Sequence, residues 1–234
     1  MPLFRIADII VDMSPKYEET ASWYEPYRIA DNAEPQLTVT ANDKEITYFV
    51  NKGVDITPPI SENMVFCDKF NRSLIQFDGC YIHSSALKFD DKVYLFSAFS
   101  GVGKSTHTKK WCRLYPERAK VINDDKPSFR VIDGKCIVYG TPFAGGTDLQ
   151  CNDKGELAAI VFLERCEENR LVKLSTPQAI TELTQQMPKR KIPEIADKQL
   201  SLLSSILGKY PVYKLYCADN DEAVEVAFQI VEQD

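Results

Sequence analysis

The chain has 234 residues, 44% of them hydrophobic, with a formal net charge of −6 and a pI near 5.1. That is enough apolar material for one large domain, or a domain with a smaller appendage, and the acidic balance argues against a broad surface for DNA or RNA. Seven scattered cysteines without a C-x-x-C pair, and only two histidines, read as reduced thiols and exclude a disulfide framework or a zinc site.

The opening residues, Met1-Pro2-Leu3-Phe4-Arg5, lack the charged start and long apolar stretch of a secretory signal, and no segment approaches membrane-spanning length. A cytoplasmic protein without membrane contact is expected. Leu37-Thr38-Val39-Thr40 and Ile46-Thr47-Tyr48-Phe49-Val50 flank Asn42-Asp43 in a β-hairpin pattern, which predicts a β-rich portion over 1–59. Residues 60–234 form the larger part, and the two could be one continuous domain. After Pro58-Pro59, Ser61 and Glu62 are expected to open an amphipathic helix that buries Met64, Phe66, Phe70, Leu74 and Ile75.

From Gly79 onward strands and helices alternate. Cys80-Tyr81-Ile82 and Val93 to Phe96 read as strands, Thr106 to Leu114 as a helix, and Lys120-Val121-Ile122 as a short buried strand. Phe129 to Ile132 and Cys136 to Tyr139 flank Asp133-Gly134 as a hairpin. Leu157 to Leu163 is the most apolar run and is expected to be a central strand covered on both faces. Leu171 to Leu174 follows, then helices from Thr176 to Gln186 and from about Asp197 to Leu207, a strand from Val212 to Cys217 and a helix from Glu222 to Val231. The fold class is mixed α/β.

The run Ala98-Phe99-Ser100-Gly101-Val102-Gly103-Lys104-Ser105-Thr106, straight after an apolar strand, has the makings of a phosphate-binding loop. Small residues let backbone N–H groups turn inward around phosphate oxygens, Lys104 reaches the terminal phosphates, and the Ser105 hydroxyl meets magnesium. Ser100 to Thr106 are therefore the nucleotide-binding residues. Ala98 stands where the usual first Gly would be, and because Ala tolerates φ > 0 poorly that corner is expected to turn differently. His107, one helical turn after Lys104, is given no catalytic role.

Downstream, Asn123-Asp124-Asp125 puts two carboxylates where a strand runs out toward the loop side of a sheet. Adjacent strand residues point to opposite faces, so both acids can serve one site only if the backbone turns there, and Lys126-Pro127 supplies the turn. One acid would hold magnesium and the other would accept the proton of an attacking hydroxyl. Thr141 to Gly146 is expected to be a mobile loop over the acceptor. Glu164-Arg165 could reach the phosphates, and Lys189-Arg190-Lys191 is the one dense basic cluster.

Ile82-His83-Ser84, Ser100 to Ser105 and Val121-Ile122-Asn123-Asp124-Asp125 together resemble the kinase domain of HPr kinase/phosphorylase, which is similar to the nucleotide-binding part of phosphoenolpyruvate carboxykinase. The resemblance runs from about His83 to Arg165. The Ile-Arg-Gly segment of true HPr kinases is missing, and Gly140 to Gly146 with Phe162 to Arg165 look more like the small HPr-kinase-like proteins of bacterial peptide-modification gene clusters. Those carry a Lys where this chain has Gly146. The resemblance implies a P-loop kinase fold, ATP and Mg²⁺ as cofactors, and a Ser or Thr hydroxyl on a peptide or small protein as acceptor. It also implies Lys104 and Ser105 for phosphate and magnesium, Asp124 as the base, Asp125 as the metal partner and His83 as an auxiliary. Competing readings are a kinase of a small hydroxylated metabolite and a nucleotide-binding regulator without turnover. ATP against GTP, and self-association, stay open.

Overall fold

The computed structural model describes residues 2–30, 32–53, 55–144 and 149–233. Strands β1 (Leu3–Ile6) and β2 (Ile9–Met13) form a tight hairpin whose turn residues, Ala7 and Asp8, both have positive φ (52° and 56°). That costs Ala about 1–2 kcal/mol, and the turn is clamped from outside. Arg130 donates to the Ala7 carbonyl (3.0 Å), and Tyr139 (2.8 Å) and Lys154 (2.6 Å) donate to the Asp8 carboxylate. Helix α1 (Glu18–Tyr24), β3 (Arg28–Ile29) and β4 (Leu37–Val39) follow, and the four strands pair in the order β3-β1-β2-β4.

The expected second hairpin strand is instead helix α2 (Asp43–Val50). Asn42 accepts from the Glu45 backbone N–H (3.0 Å) while Glu45 accepts from that of Asn42 (3.0 Å). This reciprocal cap starts a helix where a turn was expected. Helix α3 (Pro58–Ser73) also begins earlier than expected, on its two prolines, which suit the first turn because their missing N–H groups have no intrahelical partner. Ser61 and Glu62 are buried interior positions: Ser61 donates to the Ile46 carbonyl (2.6 Å) and Glu62 accepts from the Lys16 N–H (2.9 Å). Phe66 and Phe70 are buried as expected, whereas Met64 is 36% exposed.

The larger sheet contains β5 (Gly79–Tyr81), β6 (Ser84–Phe89), β7 (Lys92–Ser97), β8 (Ala119–Asp125), β9 (Ser128–Ile132), β10 (Lys135–Tyr139) and β11 (Lys154–Arg165). β12 (Arg170–Lys173) and β13 (Val212–Cys217) complete it. Its order is β5-β9-β10-β11-β7-β6-β8, with β13 pairing β11 and β12. The helices are α4 (Lys104–Leu114), α5 (Thr176–Gln186), α6 (Pro193–Leu207) and α7 (Glu222–Phe228). β6 escapes the sequence pattern because Ser84, Ser85 and Ala86 carry no strand signal, yet all three are buried between β7 and β8.

β11 is the spine. On one face Leu157, Ile160 and Phe162 pack with Leu183 of α5 and Ile206 of α6; on the other Ala159, Val161 and Leu163 join Trp111 of α4 and Val224 of α7. Both faces are therefore covered, as a long apolar strand requires. A third cluster joins the small sheet to α3, with Tyr139 and Phe143 reaching in from the larger sheet's side. Among the described residues no helix is long and apolar enough to cross a membrane.

Candidate active site

β7 hands the chain to the glycine loop and α4 takes it back at Lys104. Gly101 (φ 82°) and Gly103 (φ 117°) occupy backbone conformations that a side chain resists, and a Cβ at either would meet no described atom within 4 Å beyond its chain neighbours. The backbone there is an open cradle at a helix N-terminus, where N–H groups without intrahelical partners attract anions. Ala98 is not among the positive-φ residues; it is buried in the core beside α4, and its carbonyl accepts from Lys104 Nζ (3.2 Å). The corner needs no glycine. Arg165, from the end of β11, donates to the carbonyls of Gly101 (2.8 Å) and Val102 (3.1 Å), so it braces the loop from outside. Reaching the phosphates is the role its place in the sequence leaves open, and here the guanidinium holds the loop's carbonyls instead.

β8 does not stop at Ile122 as expected but stays paired with β6 to its last residue, Ser85 opposite Asp124 and Ser84 opposite Asp125. The turn falls at Asp125, whose φ is 135°. Asn123, fully buried, fastens this end: its amide donates to the carbonyl (2.9 Å) and hydroxyl (3.1 Å) of Thr141, and its oxygen accepts from the Lys126 N–H (3.0 Å).

The loop and the acids meet through His83. Its Nε2 lies 3.3 Å from Asp125 Oδ1 and 3.4 Å from Lys104 Nζ. Its Nδ1 lies 3.0 Å from Gln186 Oε1, and its N–H donates to the Gln186 carbonyl (2.9 Å). Burial alone would raise the Asp125 pKa, but the His83 hydrogen bond and the Lys126 ammonium, 2.7 Å from its other oxygen, hold it below the ordinary value. Burial pulls the Lys104 pKa down against the opposing charges of Asp125 and Asp124. Asp124 is 3% exposed, and its Oδ1 is buried with no hydrogen-bond partner among the described residues.

Lys104, His83, Asp124 and Asp125 are thus brought to one place, with Ser100 to Thr106 forming its loop wall. His107 is apart from it. Its Nε2 accepts from the Trp111 indole (3.1 Å) within the core, and burial, with help from Lys110, brings its pKa down to about 4. Thr141 to Ala144 are buried, Phe143 lying against Tyr24 and Phe70, so this stretch is neither a surface turn nor an open loop. Gly145 and Gly146, and with them the missing cation, lie outside the described residues. Among the described residues no group of three His, Cys, Asp or Glu side chains could hold a metal ion unaided. Gln186 was missed: it stands 103 positions from His83, and no local pattern marks it.

No family model matches the chain, and no curated protein matches it. Among solved structures, the Hpr(Ser) kinase/phosphatase from Coxiella burnetii is similar, at 14% identity and a TM-score of 0.38, covering 65% of this chain and 94% of that one. The chemistry is read from this chain's own groups.

Proposed function

We propose that the protein transfers the γ-phosphoryl group of ATP, with magnesium, to a serine or threonine hydroxyl on a peptide or small protein. One observation carries the reading: the lysine of the glycine loop and the carboxylate at the end of β8 both touch the His83 ring, at 3.4 and 3.3 Å. Phosphoryl transfer is mostly positioning and charge stabilisation, and it needs a phosphate anchor and an acid within one side chain of each other.

The residues fit the groups this chemistry requires. The cradle at Gly101 and Gly103 is open, and among the described residues the buried Asp124 Oδ1 lacks a partner, which a proton or a cation would supply. Ser100 to Thr106 would hold the phosphates, and Ser105 with Asp125 the magnesium, which when bound draws charge from phosphate oxygens. Lys104 and the loop amides neutralise charge on the transferring group. Asp125, kept anionic by His83 and Lys126, suits a cation. Asp124 has a free carboxylate oxygen to accept the acceptor hydroxyl's proton, and the acceptor must open the buried position to reach it. Gln186 orients His83 between Lys104 and Asp125.

Incubation with γ-labelled ATP, magnesium, serine peptides and small polyols tests the reading. Label on peptide hydroxyls is the expected result. Label on polyols alone would replace the acceptor class, and tight ATP binding without transfer or hydrolysis would mean a regulator.

A further inference from the structure

Asp125 and Lys126 also line a larger cleft of about 760 Å³ that none of the glycine-loop residues reaches. A separate cleft of about 520 Å³ touches the loop itself, at Val102, Gly103 and Thr106. The two share no lining residue, so the loop is approached from one cavity and Asp125 from the other. The larger cleft takes an apolar wall, Trp23, Phe49, Ile60 and Met64, from the N-terminal portion and α3.

Its charges are unevenly matched. Lys126 is paired with Asp125 (2.7 Å), Arg72 with Asp68 (2.9 Å), and Arg190 donates to the Asn71 carbonyl (2.8 Å). Glu19 and Asp55 line the same cleft, are exposed, and have no ion-pair partner among the described residues. Arg72 and Lys126 are neutralised by carboxylates and Arg190 lies part-buried on a backbone carbonyl, so Glu19 and Asp55 are the exposed charges the cleft leaves for a ligand.

We infer that this cleft binds the acceptor, and that the acceptor is a peptide segment presenting positive charge beside an apolar residue. The inference rests on the phosphotransfer reading for the direction in which the hydroxyl points, past Asp125 at the cleft wall toward its neighbour Asp124 at the end of β8. The recognition itself does not depend on turnover. Hydroxyl, apolar body and cation must reach three different parts of the cleft, and successive side chains of a peptide supply them.

Two blocked hexapeptides of equal serine and leucine content, one with two lysines and one with two glutamates, test it by calorimetry without nucleotide. The lysine peptide should bind at least about fivefold tighter, with the advantage shrinking as salt rises. A Glu19→Lys, Asp55→Lys variant should reverse the preference while keeping the parent's melting temperature, since both residues are exposed. Equal binding, no binding of either peptide, or a preference insensitive to salt would overturn the inference. Label transfer to peptides without any charge preference would remove the inference and leave the phosphotransfer reading. Lysine-peptide binding without transfer would do the opposite.

Discussion

At the glycine loop the backbone stands open: among the described residues, chain neighbours aside, no atom lies within 4 Å of where a Cβ on Gly101 or Gly103 would sit, and Phe99 is 59% exposed. At the end of β8, a few ångströms away through His83, the side chains are mostly buried or tied to neighbours. Asn123 and Asp124 are buried, both Asp125 oxygens are engaged, and Thr141 is tied down. In the proposed function the loop is a receptor made of main chain and one lysine, so changing it should remove binding and leave the core alone. The acid end is made of desolvated charge held in a network, where a change reaches chemistry and stability together.

The comparison breaks first at Asp124. Asp124→Asn should lower turnover about a hundred- to ten-thousand-fold, the range for losing a general base, while ATP affinity stays within error. Steady-state rates beside nucleotide titration read both. Preserved turnover would remove Asp124 from the mechanism.

On the loop side, Lys104→Ala should weaken ATP binding by roughly tenfold to a hundredfold, the worth of a charge-assisted hydrogen bond, with little change in melting temperature. Among the described residues its ammonium bonds to the Ala98 carbonyl and His83, so little packing should be lost. Unchanged ATP affinity would mean the loop has been misread.

The smallest effect is in acid. Asp125 has a folded pKa below its ordinary 3.8, so its contribution to stability is present above 3.8 and is lost as pH falls through the folded value. The stability gap between the parent and Asp125→Asn, read from urea midpoints, should therefore narrow as pH is taken below 3.8. The same variant should need more magnesium for turnover. A gap that widens in acid would contradict the pairing with His83 and Lys126.

The site's ingredients were legible because each carries local chemistry: glycines before Lys104, two acids at a strand's end, a proline to force the turn. Leu157 to Leu163 announced a covered strand by composition alone. What was hidden is long-range or reciprocal. Ser84 to Ala86 look like loop until β7 and β8 pair on either side, and Gln186 joins His83 only through the tertiary fold. The Asn42–Glu45 cap defeated a hairpin pattern that strand propensity and Asn-Asp both favoured. Arg165 at a strand end carries no sign of whether it faces ligand or braces the loop.

That loop and acids serve one site is tested most directly by single-turnover transfer of label in Lys104→Ala, Asp124→Asn and the double variant, all at saturating ATP. Groups acting on one transition state lose their effect together, so the double variant should be hardly slower than the slower single one. Rate losses that multiply in the double variant would show two independent sites and contradict the account.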